Sequence, residues 1–180
     1  MSVVAVKIDK NEIQVASDGI VLSGDKIVNE NFEKVKKISE TLIIGGTGLA
    51  DSLLIYYKFV EDNREAFENL ERVPEALQLF KRFKDSLIED YGYAPGTIKE
   101  FGGFLVVNKH FYGVFYYDEW LTPYSSKLRG VGNSFAFGST GIYTSALLDA
   151  GIDIVEAIKK SAEEYNSINS NVTLLTINLK

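Results

Sequence analysis

Ser2 stands out chemically in this chain of 180 residues. Removal of Met1 would leave a single residue carrying both a hydroxyl and a free α-amine. An α-amine has a pKa of about 8, so near neutral pH it can take the proton from its own hydroxyl and turn it into a nucleophile. A carboxylate follows in Ala16-Ser17-Asp18-Gly19 and an ammonium in Lys34-Val35-Lys36-Lys37. Read alone, Asp18-Gly19 is a change of chain direction and Lys34 a solvated lysine of a basic patch. More hydroxyls gather in Phe137-Gly138-Ser139-Thr140-Gly141. That string ends a strand and opens a helix, where hydroxyls and free amides either cap the helix or hold an anion.

Composition removes several other chemistries. There is no cysteine, which excludes disulfides, thiolate nucleophiles and thiolate-bound metals, and the single histidine, His110, cannot build a histidine-rich metal centre. No metal or other cofactor is called for. A net charge of −6 speaks against nonspecific nucleic-acid binding, which needs Lys and Arg against phosphates. No run of 18 apolar residues is present to span a membrane, and the start lacks the basic and apolar regions of a secretory signal, so a cytoplasmic protein is expected. A hydrophobic fraction of 46% and only three prolines suit one folded domain over residues 1–180.

The elements that must position these groups follow from periodicity. Residues 2–8 and 12–18 read as strands joined at Lys10-Asn11, and residues 20–29 as short extended pieces around Ser23-Gly24-Asp25. Thr41–Gly45 reads as a buried strand. Gly45-Gly46-Thr47-Gly48 turns it into a helix over about 49–62, with Leu53, Leu54, Tyr57 and Val60 on one face. The string lacks the ending of a phosphate loop. The charged segment 64–70 continues that helix or breaks it. Pro74 opens a second helix, with Leu77, Phe80, Phe83 and Leu87 at helical spacing. A loop is expected at 91–96. Strands are expected at 104–107 and 111–117 about an Asn108-Lys109 turn that also takes in His110, with a shorter strand near Tyr124–Leu128. A helix at about 142–150 ends at Gly151. Asp153 caps the next helix, whose apolar positions are Ile154, Ala157, Ile158, Ala162 and Tyr165. A polar loop at 166–171 leads to a last strand, 172–179. The expectation is an α+β fold, a four-layer αββα sandwich of two antiparallel sheets between two helical layers.

In this order the pieces resemble the proteasome β-subunit family, and within it most closely the bacterial ATP-dependent proteasome-like peptidase, an N-terminal-nucleophile hydrolase. The resemblance covers nearly the whole chain. It rests on Ser2-Val3-Val4-Ala5-Val6, Ala16-Ser17-Asp18-Gly19, Lys34-Val35, Ile44-Gly45-Gly46-Thr47-Gly48-Leu49-Ala50-Asp51 and Phe137-Gly138-Ser139-Thr140-Gly141-Ile142-Tyr143. It implies that Ser2 takes the place of the family's N-terminal threonine, Asp18 that of its acid and Lys34 that of its lysine. One gap-free register serves these three and Gly48, the oxyanion glycine. Ser139 falls on the serine that supports the terminal amine. The acidic and hydroxyl pair after the last helix falls near Asn166 and Asn169, or Ser167, where this chain has no aspartate. Ile20, Val21, Gly45 and Gly46 fall on the substrate pocket. A second register places Met1 on the threonine, with one extra residue at 9–11, and leaves no nucleophile.

The resemblance also implies partners: a peptide or unfolded-protein substrate, a closed homo-oligomeric ring that keeps the sites inside, and an ATPase that feeds it. Two other readings stand beside the peptidase. One is a catalytically inactive ring or scaffold subunit, and the other a small-molecule amidase on the same fold.

Overall fold

The computed structural model describes residues 2–92, 101–108, 110–117, 120–126 and 133–179. Two compact units make up the chain, Met1–Lys36 with Leu128–Lys180, and Lys37–Lys127.

The first unit opens with a hairpin. Strands β1 (Val3–Ile8) and β2 (Glu12–Asp18) pair antiparallel from Val4 opposite Ser17 to Ile8 opposite Ile13. Asp9 N–H donates to the Glu12 carbonyl at 2.9 Å to close the turn. A separate two-stranded ribbon follows, β3 (Val21–Ser23) with β4 (Lys26–Asn29), turning at Gly24. Strand β5 (Val35–Lys37) then carries the chain into the second unit.

In the second unit β6 (Leu42–Gly48) leads into α1 (Ala50–Asp62). The buried face of α1 is Leu53, Tyr56, Tyr57 and Val60, the i, i+3, i+4, i+7 stripe of an amphipathic helix. Leu54 was expected on this face but is 54% exposed, because it stands 100° round the helix from Leu53. Segment 64–70 breaks rather than extends the helix, forming the short α2 (Arg64–Glu68). In α3 (Val73–Glu89) the buried stripe is Ala76, Leu79, Phe80, Phe83 and Leu87. Leu77, expected in the core, is 43% exposed, one position off that stripe. Rings fill the space between the helices: Tyr56 and Phe83 meet edge to face at 5.4 Å, and Phe59 and Phe67 at 6.0 Å. Tyr56 Oη donates to the Phe104 carbonyl at 3.0 Å, and burial pushes its phenol well above the ordinary tyrosine range.

Strands β7 (Phe101–Val107), β8 (His110–Tyr117) and β9 (Trp120–Ser126) extend β6 into an antiparallel array in the order β6-β7-β8-β9. Strand β7 starts three residues before the expected Phe104. Gly102 and Gly103 break a strand by propensity, yet here they pair with Thr47 and Gly46. Strand β9 also begins earlier than expected. Pro123 lies within it, and an edge strand tolerates a residue without an N–H. Asn108 adopts φ +48° at the β7–β8 turn, while His110 is the first residue of β8 rather than part of the turn. Lys109, Lys127, Leu128 and residues 93–96 of the expected loop lie outside the described residues.

The chain returns to the first unit as β10 (Asn133–Gly138), which pairs with β1 from Val3 opposite Gly138. Helices α4 (Gly141–Asp149) and α5 (Ile154–Glu164) follow, then β11 (Val172–Asn178), which pairs with β2. The antiparallel sheet runs β10-β1-β2-β11. Gly151, at φ +85°, ends α4 as expected, its N–H donating to the Leu148 carbonyl at 2.9 Å. Asp153 caps α5, its carboxylate accepting the Val155 N–H at 2.9 Å. Tyr165 lies beyond α5, 41% exposed and edge-on to Tyr143, rather than in the apolar stripe.

Val3, Ala5 and Ala16 of the sheet pack on Leu148 of α4 and on Ile154, Ala157 and Ile158 of α5. The fold is α+β, each unit joining antiparallel strands to helices. Among the described residues no helix is long and apolar enough to cross a membrane.

Candidate active site

Three buried polar residues of the first unit converge at the start of β1. Asp18 ends β2 fully buried, and Lys34, just before β5, is 3% exposed. Lys34 Nζ lies 2.8 Å from both carboxylate oxygens of Asp18. The same carboxylate accepts two backbone N–H groups, Val3 at 2.9 Å on Oδ1 and Ile20 at 3.2 Å on Oδ2. Val3 is the residue next to Ser2. Two hydrogen bonds meeting on Asp18 Oδ1 therefore join the lysine ammonium to the peptide that follows Ser2.

Two effects oppose each other at Lys34. Burial disfavours its charge and is the larger, whereas the Asp18 charge and hydrogen bonds favour it, and the net result is a pKa below the ordinary lysine value. An ammonium of this kind is still paired but loses its proton more readily than a surface lysine.

Ser2 is 4% exposed. Its nitrogen donates to Ser139 Oγ at 3.2 Å. In return Ser139 N–H donates to the Ser2 carbonyl at 2.8 Å, and Ser139 Oγ contacts the same carbonyl at 3.3 Å. Ser139 sits between β10 and α4, so the β1–β10 pairing brings it to Ser2. Thr140 begins α4 with its hydroxyl buried and without a partner, so the helix start is not capped by that side chain. Ser17 Oγ is likewise buried and unpartnered beside Asp18.

The geometry thus brings together Ser2, Asp18, Lys34 and Ser139. Gly48 belongs to the second unit, at the exposed end of β6 with φ +116°. Gly45 and Gly46 lie buried in the same strand. A Cβ on Gly46 would collide with the Gly102 carbonyl oxygen and come within 2.6 Å of Leu53 Cδ2, so packing inside that unit already requires glycine. Ile20 is buried, and Val21 is half-buried in β3. Asn166 is exposed and Ser167 half-buried in the turn after α5, while Asn169 reaches backbone groups near Asp18. Sequence reasoning missed the Val3 and Ile20 amides on Asp18, and the buried hydroxyls of Ser17 and Thr140. A buried carboxylate beside its own strand's turn is the one signal that could have suggested the amide bonds. Met1 lies outside the described residues.

Solved structures match over almost the whole chain. Eukaryotic HslV from Trypanosoma brucei superposes with a TM-score of 0.67 at 16% identity, covering 98% of this chain and 99% of that one. BPH from Thiobacillus denitrificans in complex with epoxomicin gives 0.74 at 16% identity, with 99% of each chain covered. This chain has the HslV fold. A second structure of Thiobacillus denitrificans BPH gives 0.70 at 15% identity, covering 99% of this chain and 98% of that one. The HslV-like fold is the one implied by the resemblance to proteasome β-subunits and proteasome-like peptidases. No protein-family model matches the chain, and no curated protein does. Among the described residues no group of three or more His, Cys, Asp or Glu is placed to hold a metal ion.

Proposed function

We propose that this chain is a peptidase of the N-terminal-nucleophile kind, with Ser2 as nucleophile once Met1 is removed. One observation carries the reading: the buried Lys34 ammonium and the Val3 N–H share Asp18 Oδ1, which sets a positive charge beside the first peptide of the mature chain. With Met1 gone, the nitrogen on Ser139 Oγ becomes the α-amine. Ser2 Oγ then attacks the substrate carbonyl while the amine takes its proton. Lys34 favours the ionised hydroxyl and the unprotonated amine through its charge, and Asp18 keeps Lys34 in place. The resemblance assigns the oxyanion's N–H donor to Gly48. Collapse of the tetrahedral species passes the proton to the leaving amine and leaves an acyl ester on Ser2. Water, deprotonated by the same α-amine, hydrolyses the ester to a carboxylic acid and restores the hydroxyl. The same resemblance assigns the substrate pocket to Ile20, Val21, Gly45 and Gly46, and the support of the site to Asn166, Ser167 and Asn169. The whole chain acts as one domain in a homo-oligomeric ring fed by an ATPase in the cytoplasm.

The competing reading is an inactive ring or scaffold subunit. It is favoured by the same Ser2–Ser139 bond, because in a chain that keeps Met1 that nitrogen is a peptide N–H and no base. Intact mass separates the two. The peptidase reading expects loss of Met1 and conversion of the new N-terminal serine to an aldehyde by periodate, a reaction specific to a 1,2-amino alcohol. It also expects epoxomicin, bound by one fold neighbour, to bind the mature chain and not Ser2→Ala. Retention of Met1 in every molecule refutes the peptidase.

A further inference from the structure

Fifteen residues of chain lie between Asp18 and Lys34, yet the two side chains meet in a buried contact. Something must fix the backbone on both sides of that contact. On one side stands Gly19, next to Asp18. A Cβ there would lie 2.6 Å from the Glu30 carbonyl oxygen and 3.2 Å from Asn31 Cα, so the outgoing strand end and the segment leading to Lys34 run in close approach. Phe32 N–H donates to the Gly19 carbonyl at 2.8 Å. The remaining groups are closed by a side chain from the turn between α5 and β11. Asn169 Oδ1 accepts the Gly19 N–H at 3.0 Å, and Asn169 Nδ2 donates to the Glu30 carbonyl at 2.8 Å. Asn171 Nδ2 reinforces the second contact at 3.1 Å and reaches Asn31 Oδ1 at 3.2 Å.

We propose that Asn169 is a positioning residue, a carboxamide bracket that holds the Lys34 segment against the Asp18 strand end. The chemistry explains the residue type. The bracket needs one acceptor, for Gly19 N–H, and one donor, for the Glu30 carbonyl, on a short planar group. A carboxamide supplies both, whereas an ionised carboxylate supplies only acceptors and would turn one of them on the carbonyl. At this position the resemblance expects part of an acidic and hydroxyl pair, and this chain instead carries a group suited to backbone. Asn169 touches none of the reacting atoms and acts through the Asp18–Lys34 contact.

The kinetic consequence rests on the peptidase reading above, while the geometric one does not. The test uses the full chain with Asn169→Ala, Asn169→Asp and, as a control that spares both Asn169 bonds, Asn171→Ala. Two readouts are followed: peptide hydrolysis across pH, and the titration of Lys34 Nζ by nitrogen NMR. Misplacing the ammonium is expected to lower kcat by about 10- to 100-fold with KM little changed. Loosening the segment lets water reach Lys34, so its titration is expected to move up towards the ordinary lysine range, with the alkaline limb of the rate profile following. Asn169→Asp, which keeps the acceptor but loses the donor, is expected to behave like Asn169→Ala, and Asn171→Ala to stay close to the parent. If Asn169→Ala does not fold, Asn169→Asp carries the test. A fall in thermal stability with unchanged Lys34 titration and unchanged kcat overturns the proposal. An inactive parent whose Lys34 titration still shifts in the variants supports the bracket and refutes the peptidase.

Discussion

Replacing Asp18 with asparagine keeps the side chain's shape and removes its charge. The carboxylate holds four contacts: Val3 N–H at 2.9 Å, Ile20 N–H at 3.2 Å, and Lys34 Nζ at 2.8 Å from each oxygen. Whichever way the carboxamide turns, its NH2 group faces a backbone donor. At least one N–H then loses its acceptor, at about 1–3 kcal/mol. Lys34 also loses its counter-charge at a place where burial already lowers its pKa, and an uncompensated buried charge costs about 3–5 kcal/mol. Lys34 can escape by giving up its proton, which at pH 7 costs about 4–5 kcal/mol for an ordinary lysine and so caps that part of the loss. We therefore expect Asp18→Asn to destabilise by about 4–8 kcal/mol. For a chain of this length that lowers Tm by roughly 8–32 °C. The assay is urea unfolding, with the m-value checked against the parent. The double variant Asp18→Asn with Lys34→Met is expected to recover much of the loss, since no charge is left unpaired. The sign with pH is also fixed. Because Lys34 binds its proton less tightly folded than unfolded, its penalty is fully present below the lowered folded pKa. Stability is regained as pH rises from there to the ordinary value of 10.5. Asp18→Asn within about 1 kcal/mol of the parent, well below the expected range, with m unchanged, would refute the buried pair.

Two further substitutions test the packing around the site. Gly46→Ala drives a methyl into the Gly102 carbonyl and Leu53, so a loss of about 1–3 kcal/mol is expected by denaturant unfolding, and a neutral result contradicts the close approach of β6, β7 and α1. Thr140→Val removes a buried hydroxyl that has no partner, so stability is expected to hold or rise by about 1 kcal/mol, and a clear loss would mean that the hydroxyl is satisfied.

Much of the first unit was legible in the sequence because its signals are local. The runs of Val, Ile and Ala in 2–8 and 12–18, the Asp153 cap and the Gly151 stop each act within a few residues. Leu54 and Leu77 were misassigned because one apolar residue beside a stripe looks like part of it until the facing element is known. The early start of β7 was hidden because Gly102 and Gly103 argue against a strand locally and are needed only where β6 crowds them. Lys34 shows the limit most clearly. A lone lysine is ordinarily solvated, and only its distant partner Asp18, brought close by the fold, makes it a buried ammonium. The resemblance named both residues, but it could not supply the amides on Asp18 or the Asn169 bracket, which depend on where three loops meet.

The central claim concerns Ser2. The direct measurement compares the hydrolysis of a fluorogenic peptide by the mature chain and by Ser2→Ala, both with Met1 shown to be absent by mass. With a serine nucleophile the variant is expected to lose activity by about 1,000-fold or more, down to what the remaining groups contribute. Full activity in Ser2→Ala would contradict the account.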